Sequence, residues 1–190
     1  MKPVTGIILS GGQSSRMGSD KGFVLFKGKP LIEHALKLIR PLCREILISA
    51  NHEDYRVYGY PVINDTVQSI GPLGGISSCL PLASFQNVFI TGCDIPEISD
   101  DILQEMFDML MKYDMISLRL PNNRIQPLPL GMSKKVLPII EMQLNSGHFA
   151  LHDLIMACQT YPEMTSAVIN IEKSPVNINT IADLNNYETP

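Results

Sequence analysis

The chain has 190 residues, an apolar share of 45% and a formal net charge of −4, enough length to bury a core within one domain and too apolar for a disordered segment. The acidic balance, with no run of Lys or Arg, argues against a nucleic-acid partner, whose phosphates call for an excess of positive charge on one face. No apolar stretch reaches the roughly 18 residues that cross a bilayer, and the first, from Val4 to Leu9, is too short for a signal peptide and lacks a cleavage pattern, so a cytoplasmic protein with no membrane partner is expected.

Residues 6–9 (Gly-Ile-Ile-Leu) read as a buried strand. Pro30 opens an amphipathic helix in which Leu31, Ile32, Ala35, Leu36 and Ile39 recur at helical spacing, proline being favoured in a first turn where its missing N–H costs nothing. Strands follow at 45–49 and 60–63, and Gly71-Pro72 starts a second helix running to Leu82. Residues 87–91 (Asn-Val-Phe-Ile-Thr) read as a strong strand. Ser99 caps a third helix over 100–111, whose first turn carries the acidic residues that the helix dipole favours. A strand is expected at 115–118 and another at 127–132, where two prolines favour an edge or an irregular strand. Helices at about 134–144 and 150–158 precede a last strand at 167–171. This alternation predicts an α/β three-layer sandwich, with helices on both faces of a mostly parallel, Rossmann-like sheet. Ligands of such sheets bind beyond the carboxyl ends of the strands, which directs attention to the loops there.

Cys43, Cys79, Cys93 and Cys158 show no metal-ligand spacing and read as buried free thiols of a reducing compartment. Among the histidines (His34, His52, His148 and His152), His148 and His152 are four apart but have no third ligand nearby in sequence, and read as a solvated helix face. The methionines read as core filler.

The loop after the first strand carries the chemistry. It runs Leu9-Ser10-Gly11-Gly12-Gln13-Ser14-Ser15-Arg16-Met17-Gly18-Ser19-Asp20-Lys21. Paired glycines let backbone N–H groups approach anionic oxygens, and Ser14 and Ser15 add hydroxyl donors. Arg16 can hold a phosphate through two parallel bonds, and Lys21 adds a compact positive charge. Transfer from a triphosphate needs such a set, because fixed donors must stabilise the charge of its transition state. Gly11-Gly12 alone would fit an ordinary surface loop; the buried strand before it and the two cations after it favour phosphate. Neither the Walker A nor the G-x-G-x-x-G pattern is present. Asp94, just past the 87–91 strand, offers a carboxylate at the sheet edge where magnesium, a hard cation, could bridge to triphosphate oxygens. Taken alone, Asp-x-Pro reads first as the turn before Pro96, and it is the phosphate loop that reverses that preference.

The stretch from Leu9 through Arg16-Met17-Gly18 to Asp20-Lys21 resembles the signature of the nucleotidyltransferases related to molybdenum cofactor guanylyltransferase, with Ser10 where the wider superfamily has alanine. The likeness continues in Gly28-Lys29-Pro30-Leu31, Ala50-Asn51, Asn64-Asp65, Gly71-Pro72-Leu73-Gly74-Gly75, Cys93-Asp94-Ile95-Pro96 and Arg124-Ile125-Gln126-Pro127-Leu128. It ends in Asn177-Ile178-Asn179-Thr180 with Asp183-Leu184, the motif that favours the molybdopterin branch. Where the family often carries a basic pair after a glycine near the second-to-last helix, Gly147 here is followed by His148 and Phe149, which removes one grip on an anionic pterin.

The resemblance implies a sheet of the nucleotidyltransferase type in a single domain over 1–190. It also implies transfer of GMP from GTP to the terminal phosphate of molybdopterin, with magnesium as cofactor. Arg16, Lys21 and Asp94 are the expected catalytic residues, with Asp94 also the metal ligand. Leu9, Ser10, Gly11, Gly12, Lys21, Asn51, Asp65, Gly71 and Asp94 are expected to bind the nucleotide. Asn177 and Asn179, which share a side if extended, would face the acceptor and the metal. Asn51 and Asp65 would otherwise be ordinary turn residues. Brief contacts with the proteins that supply the cofactor, and with molybdoenzymes that take the product, are further expectations. Cytidylyl transfer to the cofactor, uridylyl or cytidylyl transfer to a sugar phosphate, and a non-catalytic nucleotide- or cofactor-binding carrier remain the alternatives.

Overall fold

A computed structural model describes residues 1–10, 20–67 and 70–188. In chain order these form β1 (Lys2–Leu9), a 3-10 turn (Lys21–Phe23), β2 (Leu25–Phe26), β3 (Lys29–Pro30), α1 (Leu31–Ile39), β4 (Cys43–Ser49), a 3-10 segment (Glu53–Tyr58) and β5 (Val62–Ile63). There follow α2 (Pro72–Cys79), β6 (Asn87–Gly92), α3 (Asp100–Met109), β7 (Met115–Arg119), β8 (Ile125–Ser133), α4 (Leu137–Ser146), α5 (Leu151–Thr160), β9 (Ser166–Asn170) and α6 (Ile181–Glu188).

Seven strands form one sheet in the order β5-β4-β1-β6-β8-β7-β9, and β2 and β3 form a separate antiparallel hairpin. Every pairing in the sheet is parallel except the two made by β8. Side chains alternate across a strand, and both faces of this sheet are covered. Val4 and Ile8 of β1 pack with Ile32, Ala35, Leu36 and Ile39 of α1 and with Leu103, Met106 and Phe107 of α3. Ile7 and Leu9 point the other way, into a cluster with Leu73 and Ile76 of α2, Ile139 and Ile140 of α4, and Leu154, Ile155 and Cys158 of α5. The expected three layers are therefore present.

Two details depart from the sequence reading, and a third decides between its alternatives. β8 is the irregular strand of the two forms expected, interior and not at the edge. Its prolines are accommodated because the register against β7 shifts between Ile116 and Leu118, leaving residues 127–130 opposite Ser117 alone, and because β6 pairs with β8 only from Leu130 to Ser133. A missing proline N–H costs no ladder bond in that stretch. Pro30 closes the β2–β3 hairpin and stands at the N-cap of α1, with φ −55° and ψ 142°, instead of inside its first turn. The second helix stops at Cys79 and continues to Leu82 as a 3-10 turn.

A third apolar cluster joins Phe26 and Leu31 to Ile178, with Val24, Val176 and Leu184 packed against it. It pins the segment before α6 to the hairpin and to the start of α1. Among the described residues no helix is long and apolar enough to cross a membrane.

Candidate functional site

The register of the parallel strands sets Leu9 beside Ser49 on one side and beside Gly92 on the other, so β1, β4 and β6 end together. Backbone bonds carry the pairing one residue further: Ser10 N–H donates to Ser49 O at 2.8 Å and Cys93 N–H to Leu9 O at 3.0 Å. Leu9 and Ser10 are buried in the wall of this edge. Gly11, Gly12 and Arg16 lie outside the described residues, and the chain is described again from Asp20.

Three of the expected site residues meet here. Lys21 Nζ donates to Asp94 Oδ2 at 2.8 Å and to Asn179 Oδ1 at 2.8 Å. The Lys21 and Asp94 side chains are only 20% and 24% exposed. Lys21 is thus held inside the edge of the fold. The turn before Pro96 is closed by backbone, Ile95 N–H to Gly92 O at 3.2 Å, which leaves the Asp94 carboxylate directed to Lys21. Its Oδ1 rests over the Cα of Gly92, where an added Cβ would lie 2.2 Å away.

The segment carrying Asn177 and Asn179 is bound along the Asp94 loop. Ile178 N–H donates to Asp94 O at 2.9 Å, Val176 N–H to Glu97 O at 3.3 Å, and Glu97 and Val176 form an antiparallel bridge. Ile178 is wholly buried, while Asn179 faces Lys21 and the side-chain oxygen of Asn177 is buried with no hydrogen-bond partner among the described residues. Asp183 anchors this turn: its carboxylate accepts from Asn179 N at 2.8 Å and Thr180 N at 2.7 Å, and Thr180 Oγ1 accepts in return from Asp183 N at 3.1 Å. These bonds, the Asn179 N–H first, hold the Asp183 carboxyl below its ordinary value. This reciprocal capping starts α6, which the sequence reading missed although Thr180-x-x-Asp183 is a legible cap signal.

A second polar group forms past β4 and β5. Asn51 Oδ1 accepts from Asp65 N at 2.9 Å, and Ser49 Oγ donates to Asp65 Oδ1 at 3.0 Å. Asn51 and Asp65 are therefore brought together, 14 positions apart in the chain. Gly71 stands at the N-cap of α2 with φ 72° and ψ −155°, a conformation open essentially to glycine alone.

The four cysteines are free and buried, as expected. Burial first, then the Asp94 charge, pushes the Cys93 thiol up to about 12, so it serves as packing and not as a nucleophile. His148 and His152 are exposed, but His148 precedes α5 and shares no helix with His152. Among the described residues no three His, Cys, Asp or Glu side chains could together hold a metal ion. The oxygens of Asp94 and Asn179 are nevertheless hard donors facing one cation, the Lys21 ammonium. That set fits magnesium carried in by a triphosphate, since magnesium takes one or two protein carboxylates and completes its shell with phosphate and water.

The family model described as MobA-like NTP transferase domain matches residues 6–160. A protein of Flavobacterium johnsoniae named as a probable molybdenum cofactor guanylyltransferase is 35% identical over 189 residues, covering 97% of this chain and 96% of the relative. Another so named, from Carboxydothermus hydrogenoformans, is 32% identical over 190 residues, covering 100% and 93%. The solved structure of molybdopterin-guanine dinucleotide biosynthesis protein A from Archaeoglobus fulgidus superposes with a TM-score of 0.77 over 97% of this chain and 96% of that one. At 20% identity that last likeness bears on the fold alone.

Proposed function

The chain belongs to the MobA-like NTP transferase family, and from that premise we propose that it transfers GMP from GTP to the terminal phosphate of molybdopterin, releasing pyrophosphate and forming the guanine dinucleotide cofactor. The names borne by the relatives support the substrate pair. The observation that carries the reading is the meeting of Lys21, Asp94 and Asn179 at the ends of β1 and β6. In this reading all 190 residues form one nucleotidyltransferase domain that works in the cytoplasm, with brief contacts to the proteins that supply the cofactor and receive the product.

The acceptor phosphate attacks the α-phosphorus in line, its P–O bond forms, and the bond to the pyrophosphate oxygen breaks. A terminal phosphate is already largely ionised near neutral pH, so no general base is needed. The work falls to positioning and to neutralising charge. Lys21 reaches the triphosphate oxygens by giving up its present partners, and Arg16 adds a second cation. Magnesium bound at Asp94 would supply neutralisation of the α-phosphate and of the leaving pyrophosphate. Leu9, Ser10, Gly11, Gly12, Asn51, Asp65 and Gly71 hold the nucleotide, and Asn177 and Asn179 hold the acceptor.

Pyrophosphate release with molybdopterin and each of GTP, CTP, UTP and ATP tests this. GTP should support turnover best. Equal or faster turnover with CTP would sink the guanylyl assignment. Binding without turnover for every nucleotide would make the protein a carrier.

A further inference from the structure

Tyr55 lies in the 3-10 segment after β4 and is completely buried, its ring centroid 4.6 Å from that of Phe23. Its hydroxyl donates to Asp20 Oδ1 and lies 3.3 Å from the backbone oxygen of Ser10. Ser10 and Asp20 are the residues on either side of the 11–19 stretch, so one buried hydroxyl joins both of its flanks. A phenol has one hydrogen, and the carboxylate takes the stronger share of it. Burial, with Asp20 beside it, raises the Tyr55 pKa, so the group remains a donor.

Asp20 has a second task. The same Oδ1 accepts from Gly22 N at 3.1 Å and caps the 3-10 turn Lys21–Phe23. Lys21 is the first residue of that turn, and its ammonium ends between Asp94 and Asn179. A continuous line of contacts therefore runs from Tyr55 through Asp20 to the turn that carries Lys21.

We propose that Tyr55 is a positioning residue for nucleotidyl transfer, its hydroxyl fixing Ser10 against Asp20 and thereby aiming Lys21 at the triphosphate. The inference rests on the function proposed above. A bare packing role would need the ring alone, yet the hydroxyl is spent on the two residues that bracket the glycine-rich stretch.

Tyr55→Phe keeps the ring and removes the hydroxyl. The full chain, Tyr55→Phe, Lys21→Ala and the double variant are compared by calorimetric titration with GTP, by turnover, and by melting temperature. Tyr55→Phe should weaken GTP binding and raise the KM for GTP about tenfold, the scale of one hydrogen bond to a charged group. It should change kcat less, and add little once Lys21 is already alanine. Wild-type GTP affinity in Tyr55→Phe, or a loss that multiplies in full with that of Lys21→Ala, would overturn the proposal. Should Tyr55→Phe fail to fold, Asp20→Ala, which removes the oxygen that accepts from Tyr55, carries the same comparison. A wild-type chain that binds GTP without turnover fails the functional reading alone, since the GTP titrations still decide the role of Tyr55.

Discussion

Lys21 and Asp94 stand 73 positions apart in the chain, yet the lysine ammonium lies 2.8 Å from the aspartate carboxylate. The contact follows from topology: β1 and β6 are adjacent and parallel, so the residues following them emerge at the same edge. Both side chains are mostly buried, which strengthens the attraction but also takes two charges partly out of water. Neither charge is idle without ligand. On the proposed function, a triphosphate would have to displace Asp94 and Asn179 from Lys21, and its several anionic oxygens suit that exchange.

Lys21→Ala should weaken GTP binding by about 1–3 kcal/mol, the cost of removing a charged donor. Because the lysine is held inside the edge, the variant also leaves Asp94 without its counter-ion, and its melting temperature should drop by a few degrees. Titration with GTP and a thermal scan measure both. Undiminished GTP affinity would show that Lys21 is not a phosphate ligand.

The sequence exposed the periodic elements and the strand-end motifs, because apolar spacing and glycine, asparagine and aspartate clusters are local signals. α1 runs over 31–39 as its apolar spacing implied, and Ser99 Oγ accepts from Ile102 N as a cap should. What stayed hidden depends on distant partners. The interior place of β8 is set by its pairing with β6, which no proline count could report. The burial of Lys21 depends on Asn179, 158 positions away, and the role of Tyr55 on Ser10, 45 positions away. Motif matching named Lys21, Asp94 and Asn179 separately; only folding shows that they share one contact.

Gly71→Ala should cost about 1–3 kcal/mol, because φ 72° with ψ −155° is strained for any side chain. Among the described residues an added Cβ would meet nothing within 4 Å, so the cost there is conformational and not a clash. Urea unfolding should show a lower midpoint with an unchanged slope. A midpoint equal to wild type would mean that the start of α2 re-forms freely around alanine.

Asp114 predicts an acid limb of stability. Burial alone would raise its carboxyl, but bonds from Lys135, Thr165 and Ser133 outweigh that and hold it at about 2, against an ordinary 3.8. A depressed carboxyl stabilises the fold above its unfolded value and loses that contribution as pH falls through the folded one. The loss should therefore span roughly pH 5 to pH 2 and amount to about 2 kcal/mol. Asp114→Asn should be less stable than wild type at pH 7 and show a flatter decline in that window, read by urea unfolding at each pH. Parallel curves for the two proteins would remove Asp114 as the source.

The charge of Asp94 and its position can be tested apart. Asp94→Asn keeps the shape and removes the charge. Turnover should fall by about 100-fold or more, since a metal acting as Lewis acid is worth several kcal/mol in the transition state, and the magnesium dependence should weaken. Gly92→Ala keeps the charge and moves it. A Cβ at residue 92 would lie 2.2 Å from Asp94 Oδ1, the tip of a flexible side chain, so the carboxylate gives way while the backbone of β6 stays in place. Its melting temperature should hold within a few degrees while turnover drops about tenfold or more, the penalty of a group misplaced by about an ångström. If both variants turned over like wild type with unaltered magnesium dependence, Asp94 would be no more than the anchor of Lys21. If only Gly92→Ala did, the carboxylate would be needed but its exact seat would not.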